Sequence, residues 1–331
     1  MQPSIPKPRS RPLRLGTRGS PLALWQARWA AQALDASGEN SPVEVVVVRT
    51  QAEKFPDREL PEIGIGVFTR ELDDALLRGD IDLAVHSLKD VPSELSPGLA
   101  LVAVPERESP FDTFVSADGT PLAKLPSGAR IGTGSPRRKA LLLAYRDDLE
   151  VVPLRGNVGT RLRKIEAEGL AGTILAHAGL KRMEQEARIT EVLPAEILVP
   201  AVAQGALGIV ARSDDDTTRA RLAVLDHSPS HLRVLAERGF LRRLRGGCQV
   251  PAGALAILDP EKPEPTQEKD ARLRLQAVLA APDGTTCVRE AQIGAATAGE
   301  ELGLRTAELL LDNGGGDILH QLRQAGDAGE H

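Results

Sequence analysis

The sequence predicts an α/β protein of two similar domains followed by a small α+β domain, and three observations lead there. Short apolar runs alternate with amphipathic stretches through the first 225 residues, the pattern of a parallel or mixed sheet covered by helices. The segment Leu15-Gly16-Thr17-Arg18-Gly19-Ser20-Pro21 is echoed by Ile131-Gly132-Thr133-Gly134-Ser135-Pro136, and LAVHSLKD at 83–90 is echoed, in the same order, by LAHAGLKR at 175–182. After Asp226 the alternation gives way to one long helical stretch and two strand-like runs. The repeat implies two α/β domains of similar plan facing one another across a cleft.

The elements follow from local chemistry. Apolar runs at 13–15, 43–48, 81–85, 99–104, 151–153 and 173–176 read as strands. Stretches 22–34, 69–77, 137–145 and 158–167 carry helical spacing. Residues 51–66 form a long connection rich in charge, Pro and Gly, which reads either as a lid over the cleft or as a plain surface loop. Beyond Asp226, residues 228–244 read as one amphipathic helix with serine at its start. A strand at 254–258, a polar loop at 259–270, a strand at 273–279 and a helix at 298–311 ended by glycines 314–316 follow. The domain boundaries expected are 12–105 with 205–225 (the lid at 51–66 included), 106–204, and 226–331.

Composition narrows the function. A chain of 331 residues exceeds one ordinary core. Only two cysteines, Cys248 and Cys287, argue against a disulfide scaffold and fit a reducing compartment. Neither has zinc-site spacing, so no metal is expected. The first 12 residues lack an apolar core of the signal-peptide kind, and no run of about 18 apolar residues exists. A cytoplasmic protein without a membrane partner is expected. Net charge is −5, which argues against nucleic acid as a partner. Yet 32 of the 41 basic residues are arginine, the side chain suited to bidentate recognition of carboxylate or phosphate.

Position shows where those arginines matter. Ser20-Pro21 and Ser135-Pro136 have the form of a helix N-cap followed by proline. A helix N-terminus attracts anions, and each has arginine beside it: Arg18 in the first, Arg137 and Arg138 in the second. Adjacent arginines in a first turn oppose the helix dipole, so an anion is expected to compensate them. Arg155 and Arg161 surround a glycine turn that opens another helix, and Lys181-Arg182 lies past a strand end. Ligands of open α/β sheets bind at such ends. Several cations there suit a ligand with several carboxylates; no GxxxxGK[ST] loop favours a polyphosphate. Asp90, after Lys89, is the acid in this basic company, suited to stabilising a developing cation or moving a proton, or alternatively to capping structure. His86 reads as a hydrogen-bonded structural residue. Cys248, in Arg245-Gly246-Gly247-Cys248-Gln249-Val250-Pro251, is either a small buried hydrophobe or an approachable thiol held out by two glycines.

Together, TRGSPLALWQ at 17–26, VHSLKDVP at 85–92, LRGNVGTRL at 154–162, PAVAQGALGI at 200–209 and GGCQVP at 246–251 resemble the porphobilinogen deaminases, also called hydroxymethylbilane synthases. The match runs from about residue 14 to the C-terminus. It implies two domains like type II periplasmic binding proteins flanking a cleft, plus a C-terminal α+β domain. It implies a transferase that joins four porphobilinogen molecules head to tail into 1-hydroxymethylbilane, releasing ammonia each time, in porphyrin and heme biosynthesis. By motif position, Asp90 is the catalytic carboxylate. A dipyrromethane cofactor hangs from Cys248 by a thioether, held also by Lys89, Thr133, Ser135, Arg137, Arg138 and Arg155. Arg18, Ser20, Arg161, Arg182 and Gln204 are implied on the substrate side.

Three departures from the family pattern stand out. Ile65 replaces a common lysine in the lid segment, a contact Lys54 could supply. Gly134 lacks a hydroxyl, and Arg245 stands where an acid is frequent. Two other readings remain open from sequence: a non-catalytic anion-binding protein on the same two-domain plan, and a cysteine-nucleophile hydrolase, for which no histidine base accompanies the thiol.

Overall fold

Strand β1 (Leu13–Thr17) leads into helix α1 (Pro21–Ala36), β2 (Val43–Val47), α2 (Arg70–Leu77), β3 (Leu83–Ser87) and β4 (Leu99–Ala103). Then come β5 (Asp112–Ser116), β6 (Arg130–Gly132), α3 (Pro136–Tyr145), β7 (Glu150–Val152), α4 (Val158–Ala167), β8 (Gly172–Ala176), α5 (His177–Arg182) and β9 (Glu191–Leu193). The chain closes with β10 (Leu207–Arg212), α6 (Asp216–Leu222), α7 (Ser228–Leu244), β11 (Ala252–Leu258), β12 (Arg272–Ala280), β13 (Cys287–Ala295), α8 (Gly299–Leu310) and α9 (Gly316–Ala328). This computed structural model describes residues 11–37, 42–49, 69–244, 250–259 and 271–328. They fall into two compact units: Met1–Arg107 with Ala206–His231, and Glu108–Gly205 with Leu232–His331.

The first unit holds a five-stranded sheet in the order β2-β1-β3-β10-β4. β1 runs parallel to β2 and β3, whereas β10 is antiparallel to both β3 and β4. Parallel neighbours need crossovers over a sheet face. α1 supplies the one between β1 and β2. Alternation along the strands divides the core into two layers. Leu13, Leu15, Val85, Ile209 and Ala211 pack with Ala27, Ala30 and Leu34 of α1. Ala84 and Val210, one residue out of step, pack with Leu72, Ala75 and Leu76 of α2. Asp82 is fully buried and accepts hydrogen bonds from Arg11 and from the main chain and side chain of Arg14, which ties β1 to the entry of β3.

The second unit repeats the plan. Its sheet has the order β7-β6-β8-β5-β9, with β6 parallel to β7 and β8, and β5 antiparallel to β8 and β9. The echoed segments occupy equivalent places, since Ile131–Pro136 leaves β6 as 15–21 leaves β1, and 175–182 leaves β8 as 83–90 leaves β3. The strand antiparallel to the parallel trio arrives differently in each sheet: β5 precedes its own trio in the chain, but β10 returns from beyond the second sheet.

The C-terminal meander β11-β12-β13 belongs to the same compact unit as the second sheet. Leu255, Val278 and Ala280 enter the core formed by Phe114, Ile131, Leu141 and Ile174. The Ala254 N–H reaches the carbonyl of Pro200 at 3.1 Å, and a Cβ on Gly253 would lie 2.7 Å from the carbonyl oxygens of Val199 and Pro200. Only a glycine lets the main chains approach this closely. Glu237 of α7, wholly buried, accepts from the N–H groups of Ala203 and Ala256 and so joins the end of the second sheet's chain to β11.

Several elements differ from the sequence expectation. The helix expected at 298–311 spans 299–310 and ends at the glycines, where Gly314 adopts φ +106° and kinks the chain, but a further helix, α9, follows that the sequence reading did not include, with Ile318 and Leu319 buried. Strands β5, β9 and β13 escape a search for apolar runs because acids or other polar residues interrupt each of them. The proposed lid at 51–66 lies outside the described residues, as does all but the first residue of the loop at 259–270.

Gly205 has φ +87°, and a Cβ there would sit 2.3 Å from the Glu108 carbonyl oxygen. Gly205→Ala is therefore expected to lower stability by at least about 2 kcal/mol, read from urea unfolding curves. A loss within experimental error would show that this crossing of the chain relaxes freely.

Candidate active site

The parallel register of β1 on β3, Leu15 with Leu83 and Gly16 with Ala84, makes both strands end on one side of the first sheet. Beyond β1 the turn Arg18-Gly19-Ser20 opens α1. The Ser20 hydroxyl accepts the Ala23 N–H at 3.3 Å, and Pro21 occupies the first helical position. Beyond β3 a single 3-10 turn, Leu88–Asp90, carries Lys89 and Asp90, both partly buried. A depression between these two turns is lined by Arg18, Ser20, Gln26, His86, Ser87 and Asp90. Gln26, buried in α1, donates to the Ser87 hydroxyl at 2.7 Å and so ties the helix to the β3 end. Gln26 and Ser87 are site residues that the motif reading did not single out.

The depression thus combines a capped helix N-terminus, a guanidinium and a carboxylate. The first two suit an anionic group. The third suits positive charge developing beside that group. His86 departs from expectation. It is 6% exposed, and its Nε2 has no hydrogen-bond partner. Its place in the ladder is opposite Gly208, which has no side chain to offer. Burial, reinforced by the charge of Arg18, pushes its pKa down to about 4, so the imidazole is neutral near pH 7.

In the second unit the β6 end carries Thr133, Gly134 and Ser135 into α3. The Ser135 hydroxyl caps the helix by accepting the Arg138 N–H at 3.4 Å, and the Thr133 hydroxyl accepts the Ser135 N–H at 3.2 Å. Arg137 and Arg138 are each 5% exposed. Both converge on Asp112, the first residue of β5 and wholly buried. Arg137 Nη2 lies 2.8 Å from Oδ2, and Arg138 Nη2 and Nε lie 2.7 and 3.0 Å from Oδ1. Gln204 Nε2 donates to the same Oδ1 at 3.0 Å and to the Pro110 carbonyl at 2.8 Å. Burial alone would raise the pKa of Asp112, but the two guanidiniums outweigh it and hold the carboxyl well below the usual range. The arginine pair at the head of a helix is therefore compensated in the first place by an acid of the chain itself, one that sequence reasoning missed. The signal was faint: a lone Asp opening an apolar strand 25 residues before the pair.

Arg155 is exposed, with its stem 3.8 Å from where a Cβ on Gly134 would lie. Arg161 donates from Nε to the Gly156 carbonyl at 2.8 Å, in the turn where Asn157 caps α4. Arg182 is buried and donates to the Gly205 carbonyl at 2.6 Å. Burial lowers its pKa to about 10, opposed by Glu108, so it keeps its charge. Arg18, Ser20 and Asp90 thus come together in the first unit. Thr133, Ser135, Arg137, Arg138 and Gln204 are linked in the second. Cys248, Arg245, Lys54 and Ile65 lie outside the described residues. Among the described residues no cluster of His, Cys, Asp and Glu is arranged to hold a metal, and no helix is long and apolar enough to cross a membrane.

Fold and site define an α/β protein whose strand-to-helix turns carry arginines and hydroxyl-capped helix starts, with Asp90 set among them in the first unit and Asp112 in the second. Its relatives narrow this further. Residues 13–220 match the family model described as porphobilinogen deaminase, dipyromethane cofactor binding domain, and residues 231–312 match that of the porphobilinogen deaminase C-terminal domain. The porphobilinogen deaminase of Pelotomaculum thermopropionicum is 49% identical over 95% of this chain and 98% of its own. Those of Syntrophotalea carbinolica and Geobacter sulfurreducens are 45% and 44% identical over 94% of this chain, and 96% and 95% of theirs. The chain belongs to the porphobilinogen deaminase family. The methionine binding protein MetQ aligns at 16% identity over 64% of this chain and 88% of its own, but the TM-score of 0.40 carries no argument.

His86 has a pH signature. The unfolded chain takes up its proton near the ordinary value of 6.5, whereas the folded chain resists until about 4. Its contribution to stability is therefore full above about 6.5 and declines as pH falls toward 4. Denaturation measured across that window should show a shallower acid loss in His86→Asn than in the wild type; parallel curves would remove His86 from the cause.

Proposed function

We propose that this protein is a porphobilinogen deaminase in activity as well as in family. It joins four porphobilinogen molecules head to tail into 1-hydroxymethylbilane, with one ammonia released per molecule, for porphyrin and heme biosynthesis. The observation that carries the reading is the depression holding Asp90 together with Arg18 and the capped start of α1. Each porphobilinogen brings two carboxylates and an aminomethyl group. Arg18 and Ser20, at the positive end of α1, bind and orient a carboxylate. Asp90 then faces the methylene carbon from which ammonia leaves, stabilises the positive charge that develops there, and holds a proton in the exchange.

The cofactor fits the chemistry of the second unit. Dipyrromethane, when bound, supplies the free pyrrole position onto which the first substrate is joined. It carries carboxylates, and around Asp112 two buried guanidiniums answer one carboxylate, while the hydroxyls of Thr133 and Ser135 cap the turn that leads into α3. In this reading Arg137, Arg138, Thr133, Ser135, Lys89 and Arg155 hold the cofactor, and Cys248 anchors it as a thioether. Arg161, Arg182 and Gln204 serve the growing chain, Arg182 and Gln204 doing so as supports, given their main-chain and Asp112 bonds. The three domains are 12–105 with 205–225, 106–204 and 226–331. The protein works as a cytoplasmic monomer, with no nucleic acid or membrane partner. A purely anion-binding role is not favoured, because the acid in the depression serves no anion.

Two measurements test this. Asp90→Asn should cut ammonia release by roughly 10²–10⁴-fold, with folding unchanged by circular dichroism; turnover near the wild-type rate would refute the assignment. Intact-mass spectrometry of the holoenzyme should show added mass equal to two pyrrole units, absent in Cys248→Ser. An unmodified and inactive wild-type chain would sink the reading as a whole.

A further inference from the structure

We propose that Asp112 is a positioning residue of the enzyme. By fixing the guanidiniums of Arg137 and Arg138 and the amide of Gln204 in one array, it governs assembly and seating of the cofactor rather than the fold alone. The inference rests on the reading of Arg137 and Arg138 as carboxylate-binding residues.

The geometry is specific. Asp112 Oδ1 takes Nε and Nη2 of Arg138 and Nε2 of Gln204, and Oδ2 takes Nη2 of Arg137. Each guanidinium is also held at a second point by a main-chain carbonyl. Arg137 Nη1 donates to Val199 at 2.6 Å, and Arg138 Nη1 to Ile174 at 2.9 Å. A planar group tied at two points cannot rotate, so its remaining N–H directions are set. The array also draws on three parts of the chain: the head of α3, the start of β5 and the segment before β10.

Charge argues against a merely structural cluster. A buried ion pair that only holds a fold together is at its best when balanced. Here two cations meet one anion among the described residues, with side chains 5% and 6% exposed and the acid wholly buried. The excess positive charge marks a place for an anionic group, and Asp112 keeps that excess to one while letting two guanidiniums lie side by side. Without the carboxylate the arginines would repel one another and lose their common aim.

The test compares purified holoenzymes. Asp112→Asn keeps the size of the side chain but removes its charge and turns one oxygen into a donor facing guanidinium donors. The expected result is a folded protein whose occupancy by the two-pyrrole adduct, read by intact mass, falls to about a tenth of the wild-type value or less, with KM for porphobilinogen in the loaded fraction raised roughly tenfold and kcat less affected. Wild-type occupancy and KM, with only a lower melting temperature, would make Asp112 structural and overturn the proposal. If Asp112→Asn does not fold, Asp112→Glu decides, since it keeps the charge and displaces it by one methylene. Reduced occupancy at an unchanged melting temperature supports positioning, and full occupancy refutes it. A wild-type protein without the adduct would instead fail the functional reading, so the two failures are distinguishable.

Discussion

The parallel pairing of two strands that are not consecutive in the chain is the constraint on which each site depends. β1 lies beside β3, and β6 beside β8, so turns some 70 and 40 residues apart in sequence open at the same edge of a sheet. That edge is where helix N-termini expose unpaired N–H groups. The charged groups of the depression in the first unit come from those two turns, Arg18 from one and Asp90 from the other. A one-residue slip in the β1–β3 register would turn Ala84 and Val85 to the wrong layers and carry His86 and Ser87 with them. The two-layer core therefore secures the site geometry as well as the fold.

Arginine is used here in a way that lysine could not match. Asp82 and Asp112 are each fully buried, and each is held below the usual carboxylate range despite burial, by Arg14 and Arg11 in one case and by Arg137 and Arg138 in the other. The forked guanidinium can grip a carboxylate with two nitrogens and still reach a main-chain carbonyl with a third. Asp82 holds Arg11 and the first residues of β1. Asp112 meets the first turn of α3, where the same physics brings two guanidiniums together on one carboxylate.

Much of the site was legible because its parts are local. Ser20-Pro21 and Ser135-Pro136 are caps that declare themselves from adjacent residues, and both cap their helices as expected. The helix at 158–167 was legible to the residue because its glycine turn and periodicity are both short-range signals. Asp112 was not legible as the partner of Arg137 and Arg138. Their pairing requires β5 to lie antiparallel to β8, and nothing in FDTFVS says where that strand will insert. The unpaired Nε2 of His86 was hidden for a related reason, since its neighbour across the ladder is Gly208, more than 120 residues away.

The amino-acid sequence by itself determined the α/β class, the internal repeat, the helix caps, the family resemblance and the identity of most residues that carry charge at the sites. These are written in spacing and in residue type, which act over one or two turns of chain. Only the tertiary structure decided which charges neutralise one another and which remain for a ligand. Burial and pairing depend on strands and helices brought together from distant parts of the chain. A guanidinium that looks available in sequence is either spent or kept according to what packs beside it, as Arg137 and Arg138 show by meeting Asp112.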